Sequence, residues 1–305
     1  IDLNNKNLGP ADITLIGAWL AIDAGAAVAS LRCGNNPRMV GELEYGILKT
    51  PDAHAEVFKE LTDSLKTSQV TEADFSSCGI GPVALGHVSE WVREATAVLA
   101  SLNLSGNKIT VYDRDLSGLS ALGEAIVPSK TLKSVDLSDC GINVKGVTEV
   151  AKFISAGAAV ADLNISEAVI GDAGPTLVEA ISASSSLEFI TIGKGLRLPL
   201  KDSYDSDVLD AAGKGIEAGG ATVIAWWLRT SASATLKAIT LDGQPISGST
   251  PKYGDWQYGV DKIDADMSGF NRLCEALASS QIEVVSMKSC YFGPHALAAL
   301  AKAIQ

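Results

Sequence analysis

The stretch Thr131–Ile170, TLKSVDLSDCGINVKGVTEVAKFISAGAAVADLNISEAVI, decides how the chain folds. Its apolar positions Leu132, Val135, Leu137, Cys140 and Ile142 return at identical offsets as Val160, Leu163, Ile165, Ala168 and Ile170. The step is about 28 residues, the length of one strand–turn–helix module. Within each run the centre alternates inward, outward, inward, as a strand does. Asp136 points out between Val135 and Leu137, and Asn164 points out between Leu163 and Ile165. One such module has a single apolar ridge and cannot bury it alone, whereas stacked neighbours close a continuous core.

The bulk composition agrees with that reading. A chain of 305 residues exceeds what one ordinary core holds, a limit that stacked modules escape because each touches only its neighbours. Apolar residues make up 47% and aromatics only 6%, so the core is aliphatic. The 29 glycines suit a turn after every strand and helix. A net charge of −12 with no Lys/Arg cluster disfavours a nucleic-acid partner. No apolar run is long enough to span a bilayer, the longest, Ala18 to Leu31, being interrupted by Asp23.

The five cysteines follow the module and not a disulfide pattern. Cys78, Cys140 and Cys290 occupy one equivalent position, Cys33 an inward strand position, and Cys274 a helix. Cys78 and Cys140 belong to modules two steps apart, which at about 4.8 Å per strand step puts them out of bonding reach. All five read as buried thiols, in keeping with a reducing intracellular compartment.

The same pattern extends along the chain. Ile1-Asp2-Leu3 reads as a first strand, and Pro10 opens the first helix at the position where a missing N–H costs nothing. Gly81-Pro82, Gly174-Pro175 and Gly293-Pro294 repeat the device. Ser30–Asn36 aligns without gaps on Ser101–Asn107, and Leu209–Ile216 on Ile1–Leu8, with Lys214 against Lys6. Further strands are expected at Ala73–Phe75, Leu102–Leu104, Ile190–Ile192, Ile239–Leu241, Ile263–Ala265 and Val285–Met287. An insertion, PRMVGELEYGILKT, follows Asn36, and after it a helix is expected over 52–66 with Val57, Phe58, Leu61 and Leu65 inward. Two connectors, about 196–207 and 244–261, have no helical stripe and are expected to be irregular. Both ends look uncapped, and the expectation is a segment of a longer protein.

The spacing Leu-x-x-Leu-x-Leu-x-x-Asn/Cys-x-Ile/Leu joined to a helix resembles the ribonuclease-inhibitor-like leucine-rich repeats. SLNLSGNKI (Ser101 to Ile109) and SVDLSDCGI (Ser134 to Ile142) carry it most clearly. The resemblance implies one α/β horseshoe solenoid over residues 1–305, with about eleven parallel strands on the concave face and helices on the convex face. It also implies a non-catalytic protein-binding scaffold, possibly a subunit of a larger assembly. The alternative is a regulatory module such as a GTPase-activating protein or the sensor region of a NOD-like receptor.

Several strings resemble other sites. Asp264, Asp266, Ser268, Gly269 and Glu275 have the spacing of a calcium loop, but Asn271 stands where an aliphatic residue belongs. The string recurs at Asp113, Asp115, Ser117, Gly118 and Glu124, so carboxylates serving a helix N-terminus are the plainer reading. Asp202, Asp205, Asp207 and Asp210 are read the same way. Gly79-x-Gly81 before a helix is a lone, short match to a dinucleotide loop. His54, His87 and His295 fall in or beside repeat helices without a nucleophile or zinc-ligand spacing. No catalytic, cofactor or metal residue is assigned, and no small-molecule pocket is expected.

Binding is expected on the outward strand positions and on the connectors. The outward lane, with Asp74, Asn103 and Asp136 at its centre, is small, polar and acidic, and suits a basic partner protein. It holds few of the aromatic and arginine side chains that dominate interfaces, Arg32 at one end and Phe189 further along. The aromatics gather in the connectors as Tyr204, Tyr253, Trp256 and Tyr258. Of Trp226 and Trp227, one is expected to fill the core and the other to be exposed. Insertions in repeat proteins often carry contacts, so these four aromatics and the acidic lane are the predicted docking residues.

Overall fold

A computed structural model describes residues 1–22, 25, 27–95, 98–252 and 256–303. Its contacts form two compact units, residues 1–168 with 183–187, and residues 169–182 with 188–305.

The first unit is the regular one. Helices α1 (Pro10–Leu20), α2 (Ala55–Leu65), α3 (Pro82–Glu94), α4 (Ser117–Ile126) and α5 (Val144–Ser155) alternate with short strands. Strand β1 (Ser30–Arg32) is followed by the hairpin β2 (Glu42–Glu44) and β3 (Ile47–Thr50), then β4 (Glu72–Asp74), β5 (Ser101–Asn103), β6 (Ser134–Asp136) and β7 (Asp162–Asn164). β1, β4, β5, β6 and β7 form a parallel ladder in register. Its central row, Leu31, Ala73, Leu102, Val135 and Leu163, is buried to 4% exposure or less. Asp2 adds a parallel bridge to Arg32 at one edge, where the first strand is expected. The helices pack in sequence order, and Gly118 permits the closest approach, since a Cβ there would lie 2.3 Å from the Pro82 carbonyl oxygen.

Two polar devices tie one repeat to the next. The fourth residue after the strand reaches back to the preceding loop. Asn107 Oδ1 accepts from the amides of Cys78 and Ile80, both at 3.0 Å, and Nδ2 donates to the Phe75 and Leu104 carbonyls. Asn36 does the same for the amides of Lys6 and Leu8. Where that residue is cysteine, the thiol donates backward instead, Cys78 to the Cys33 carbonyl and Cys140 to the Leu104 carbonyl. Buried loop amides are thereby paired, as they must be.

The second device runs forward. Asp52, with φ of 62°, accepts from the amides of Gly81, Val83 and Ala84 at the start of α3. Asp113, with φ of 63°, accepts from Asn143 and Lys145 at the start of α5. A helix N-terminus leaves such donors unpaired, and here the repeat before it supplies the acceptor.

In the second unit, α6 (Gly174–Ala183) leads to β8 (Phe189–Ile192) and β9 (Leu196–Pro199), then β10 (Val208–Asp210), α7 (Ala218–Trp227) and β11 (Ala238–Thr240). After these come β12 (Thr250–Pro251), β13 (Val260–Lys262), α8 (Ser268–Ala278), β14 (Val284–Ser286) and α9 (Pro294–Ala303). β10, β11 and β14 form a parallel ladder. Gln244 Oε1 accepts from the Ile216 amide, Cys290 donates to the Leu241 carbonyl, and Asp264 accepts from Gly293, His295 and Ala296 at the start of α9. Both inter-repeat devices recur here.

Two sequence expectations are corrected in this unit. The first connector is not irregular throughout, because β9 folds back antiparallel on β8 across Gly193 and Gly195, whose φ values are 55° and 79°. Within the second unit β8 and β10 therefore share no ladder, and the parallel strands do not run on without a break. The strand expected at Ile263–Ala265 does not join the ladder either. β14 pairs directly with β11, and the strand at 260–262 pairs antiparallel with β12. Ile263 is 54% exposed. The segment is pinned to the connector by Asp264 N to Ser249 Oγ and Asp266 N to Ser247 O, each 3.1 Å, so its alternation serves no core.

Smaller differences concern helix edges. α2 spans Ala55–Leu65 and buries Thr62 along with Phe58, Leu61 and Leu65, while Val57 is only half-buried. Trp227 is fully buried and donates Nε1 to the Pro199 carbonyl at 2.6 Å, while Trp226 is half-buried.

Candidate interaction surface

The five registered strands of the first unit present two outward rows. One is Ser30, Glu72, Ser101, Ser134 and Asp162, the other Arg32, Asp74, Asn103, Asp136 and Asn164. Asp74, Asn103 and Asp136 thus stand in one row on neighbouring strands, as the sequence predicts.

Local hydrogen bonds fix these side chains. Oδ1 of Asp74, Asn103, Asp136 and Asn164 each accepts the backbone amide two residues on, from Ser76, Ser105, Ser138 and Ser166, at 2.8–3.0 Å. Such turns let the strand end in a tight loop and hold the outward side chain in one rotamer. Across the ladder Asn164 Nδ2 donates to Asp136 Oδ2 at 3.0 Å. The result is a rigid polar face with a shallow depression bordered by Arg32, Glu72, Asp74 and Asn103. Beside it Lys108 meets Asp139 at 3.3 Å and lies 5.6 Å from the Tyr112 ring centroid.

The predicted aromatic residues are scattered. Tyr204 packs edge-on against Trp227, ring centroids 5.5 Å apart, and burial raises its hydroxyl pKa with help from Asp205 and Asp210. Phe189 is half-buried beneath Arg197, whose guanidinium carbon lies 3.6 Å from the ring centroid. Tyr258 is 59% exposed in the short 3-10 turn Trp256–Tyr258. Tyr253 lies outside the described residues, and Trp256 is described in its backbone alone.

One exposed feature was missed. The insertion after Asn36 folds as the β2–β3 hairpin, with Tyr45 at its tip 98% exposed and Ile47 73% exposed. Tyr45 and Gly46 both have positive φ, 51° and 79°, the turn that a two-residue hairpin requires. The sequence signal for it is the Tyr45-Gly46 pair, with glycine at a turn position, between two short runs that each carry one central leucine, Leu43 and Leu48.

The acidic strings resolve into turn and cap contacts. Asp113 and Asp264 serve the next repeat's helix, while Asp115 and Asp266 accept the amides of Ser117 and Ser268. Among the described residues no group of three or more His, Cys, Asp or Glu is placed to hold a metal ion. Burial first, and nearby carboxylates second, raise the thiol pKa of Cys33 to about 12. Desolvation raises the Cys140 thiol to about 12 and the Cys274 thiol to about 11, and it raises Cys78 and Cys290 as well. All five are free thiols and buried. Among the described residues no helix is long and apolar enough to cross a membrane.

The family model described as Leucine Rich repeat matches residues 129–151, which span β6 and the first part of α5. That stretch is a leucine-rich repeat. Two solved structures are similar to part of the chain. Leiomodin-1 actin-binding site 2 is 16% identical, over 57% of this chain and 86% of its own, with a TM-score of 0.38. The C-terminal domain of tropomodulin from Caenorhabditis elegans is 13% identical, over 72% of this chain and 90% of its own, with a TM-score of 0.27. Likenesses of this size fix neither a partner nor a site. No curated protein matches the chain.

Proposed function

We propose that the protein is a non-catalytic leucine-rich-repeat scaffold that binds a basic protein through the outward face of its parallel strands, as one component of a larger assembly. The reading includes a single curved solenoid of the ribonuclease-inhibitor-like kind. The observation that carries it is the row Arg32, Asp74, Asn103, Asp136 and Asn164, in which the last four side chains are pre-set by their own turns. A preorganised face loses little side-chain entropy on association. Its charge balance and the net −12 of the chain favour a cationic partner and oppose a nucleic acid. Tyr258, with Tyr253 and Trp256 beside it in sequence, forms a second contact on the same reading.

The test compares affinity capture on the wild-type chain with capture on Asp74→Lys/Asp136→Lys, followed by titration of any protein lost from the variant. The expected result is a basic protein whose affinity falls at least about tenfold on charge reversal and weakens with salt. Alanine at Tyr253, Trp256 and Tyr258 should weaken the same complex further. Equal capture by wild type and charge-reversed chain would overturn the assignment of this face.

A further inference from the structure

The insertion that carries Tyr45 also borders a groove. Its volume is about 510 Å³, and it is lined by Arg38, Gly41, Glu42, Leu43, Gly46 and His54. Two of these residues belong to β2 and none to β3, so the groove runs along the β2 side of the hairpin. All six lie in the first unit, and none belongs to the outward rows of its ladder.

The backbone on that side is open. Glu44 pairs with Ile47 across the Tyr45–Gly46 turn, and Leu43 pairs with Leu48. In a two-residue hairpin the pair flanking the turn exchanges both hydrogen bonds, and the next pair turns its N–H and C=O groups away from the partner strand. Leu43 therefore offers a donor and an acceptor to the groove, and among the described residues neither is taken up. The open edge is short. On one side the turn ends it, and on the other the Gly41 amide donates to the Pro37 carbonyl and the Val40 amide to the Cys78 carbonyl, each at 3.1 Å. A strand passing through would find no further partner, whereas the end of a chain needs only one residue's pair of bonds.

The facing side chains supply charge. Among the described residues the Arg38 guanidinium makes no hydrogen bond or ion pair, and the His54 ring makes no hydrogen bond. His54 immediately precedes α2, whose N-terminal end favours negative charge. A guanidinium fork fits a carboxylate, and an imidazole N–H adds a donor to it. Glu42 lines the groove, and Glu56 stands in the first turn of α2. That balance admits one negative charge more readily than two, which selects a carboxylate over a phosphate.

We propose that the groove between β2 and His54 binds the C-terminal end of an extended peptide from a partner protein. The peptide exchanges backbone hydrogen bonds with Leu43, and its terminal carboxylate is held by Arg38 and His54. Strand addition gives the affinity, and the carboxylate fixes the register. This surface is separate from the polar row on the ladder and takes a partner of opposite charge.

The test uses a pool of acetylated hexapeptides, randomised at every position, with free carboxyl ends, and the same pool amidated. Each is passed over the immobilised chain, and retained peptides are counted by mass spectrometry. The free-acid pool should be retained at least about tenfold more than the amidated pool. Arg38→Gln should abolish that preference, and Asp74→Lys/Asp136→Lys should leave it intact, which separates this groove from the ladder row. When the most enriched peptide is titrated into the labelled chain, the NMR signal of the Leu43 amide should shift and its exchange with solvent should slow. Equal retention of the two pools overturns the proposal, as does no retention of either or a preference that survives Arg38→Gln. A Leu43 amide that stays unmoved at saturation overturns the strand pairing.

Discussion

The ladder of the first unit and that of the second use the same bonds on different terms. In the first unit five strands succeed one another, and Asn36 and Asn107 each pair two loop amides of the repeat before them. Among the described residues of the second unit, β10, β11 and β14 pair in parallel, and Gln244 pairs a single amide, that of Ile216. The hairpin β8–β9 and the connector between β11 and β13 take up the residues that would otherwise have made regular repeats. Regularity here is a matter of cover. The inward side chain of a strand whose neighbour supplies both apolar contact and hydrogen-bond acceptors is buried, as at Ala73 and Leu102, while Val285 on the end strand β14 is 42% exposed.

The largest expected effect sharpens that contrast. Leu102→Ala, at a fully covered position, should lower stability by about 2–5 kcal/mol, while Val285→Ala at the open edge should cost under about 1 kcal/mol. Urea unfolding of both variants checks it, and equal losses would break the comparison. Next, Asn107→Ala leaves the Cys78 and Ile80 amides buried and unpaired and should cost about 3 kcal/mol, against about 1–2 kcal/mol for Gln244→Ala.

The inter-repeat caps should not distinguish the units. Asp52→Ala and Asp264→Ala remove equivalent acceptors, and each should cost about 1 kcal/mol. Desolvation pulls the Asp264 carboxyl upward, but the amides of Gly293 and Ala296, the Ser247 hydroxyl and the His295 amide together outweigh it and hold its pKa below the usual carboxylate range. Its contribution is therefore present at neutral pH and is lost as pH falls below about 4. Thermal melts of wild type and Asp264→Ala should converge in acid.

The smallest effect concerns the thiols. Cys33 and Cys140 stay protonated in the folded chain up to about pH 12, while in the unfolded chain they ionise near 9.0. Stability should be unaffected below that value and fall as pH rises through it, by about 1 kcal/mol per buried thiol at pH 10. Replacing Cys140 with Ser should flatten that alkaline slope.

Much of this was legible beforehand where one residue's neighbours in sequence decide its fate. The strands at Leu102, Val135, Leu163, Leu209 and Ile239 follow from the alternation of apolar and polar side chains, and the polar row from the residues between them. Asp264 was legible only as a carboxylate near a helix. That it caps α9, and not the helix nearest in sequence, depends on a contact made 29 residues away. Tyr204 is opaque in sequence for a related reason, since its packing depends on Trp227, 23 positions away in the chain. The hairpin bearing Tyr45 carries no repeat signature, because it lies in an insertion that interrupts the period.

By itself, then, the sequence determined the repeated strand–turn–helix module, its inward row and its free thiols, because each depends on the character of residues close together in the chain. The tertiary structure alone decided which strands share a ladder, where β9 turns back, and which edge stays open. Those outcomes depend on whether a neighbouring repeat arrives with matching apolar atoms and hydrogen-bond acceptors, and no single repeat encodes that.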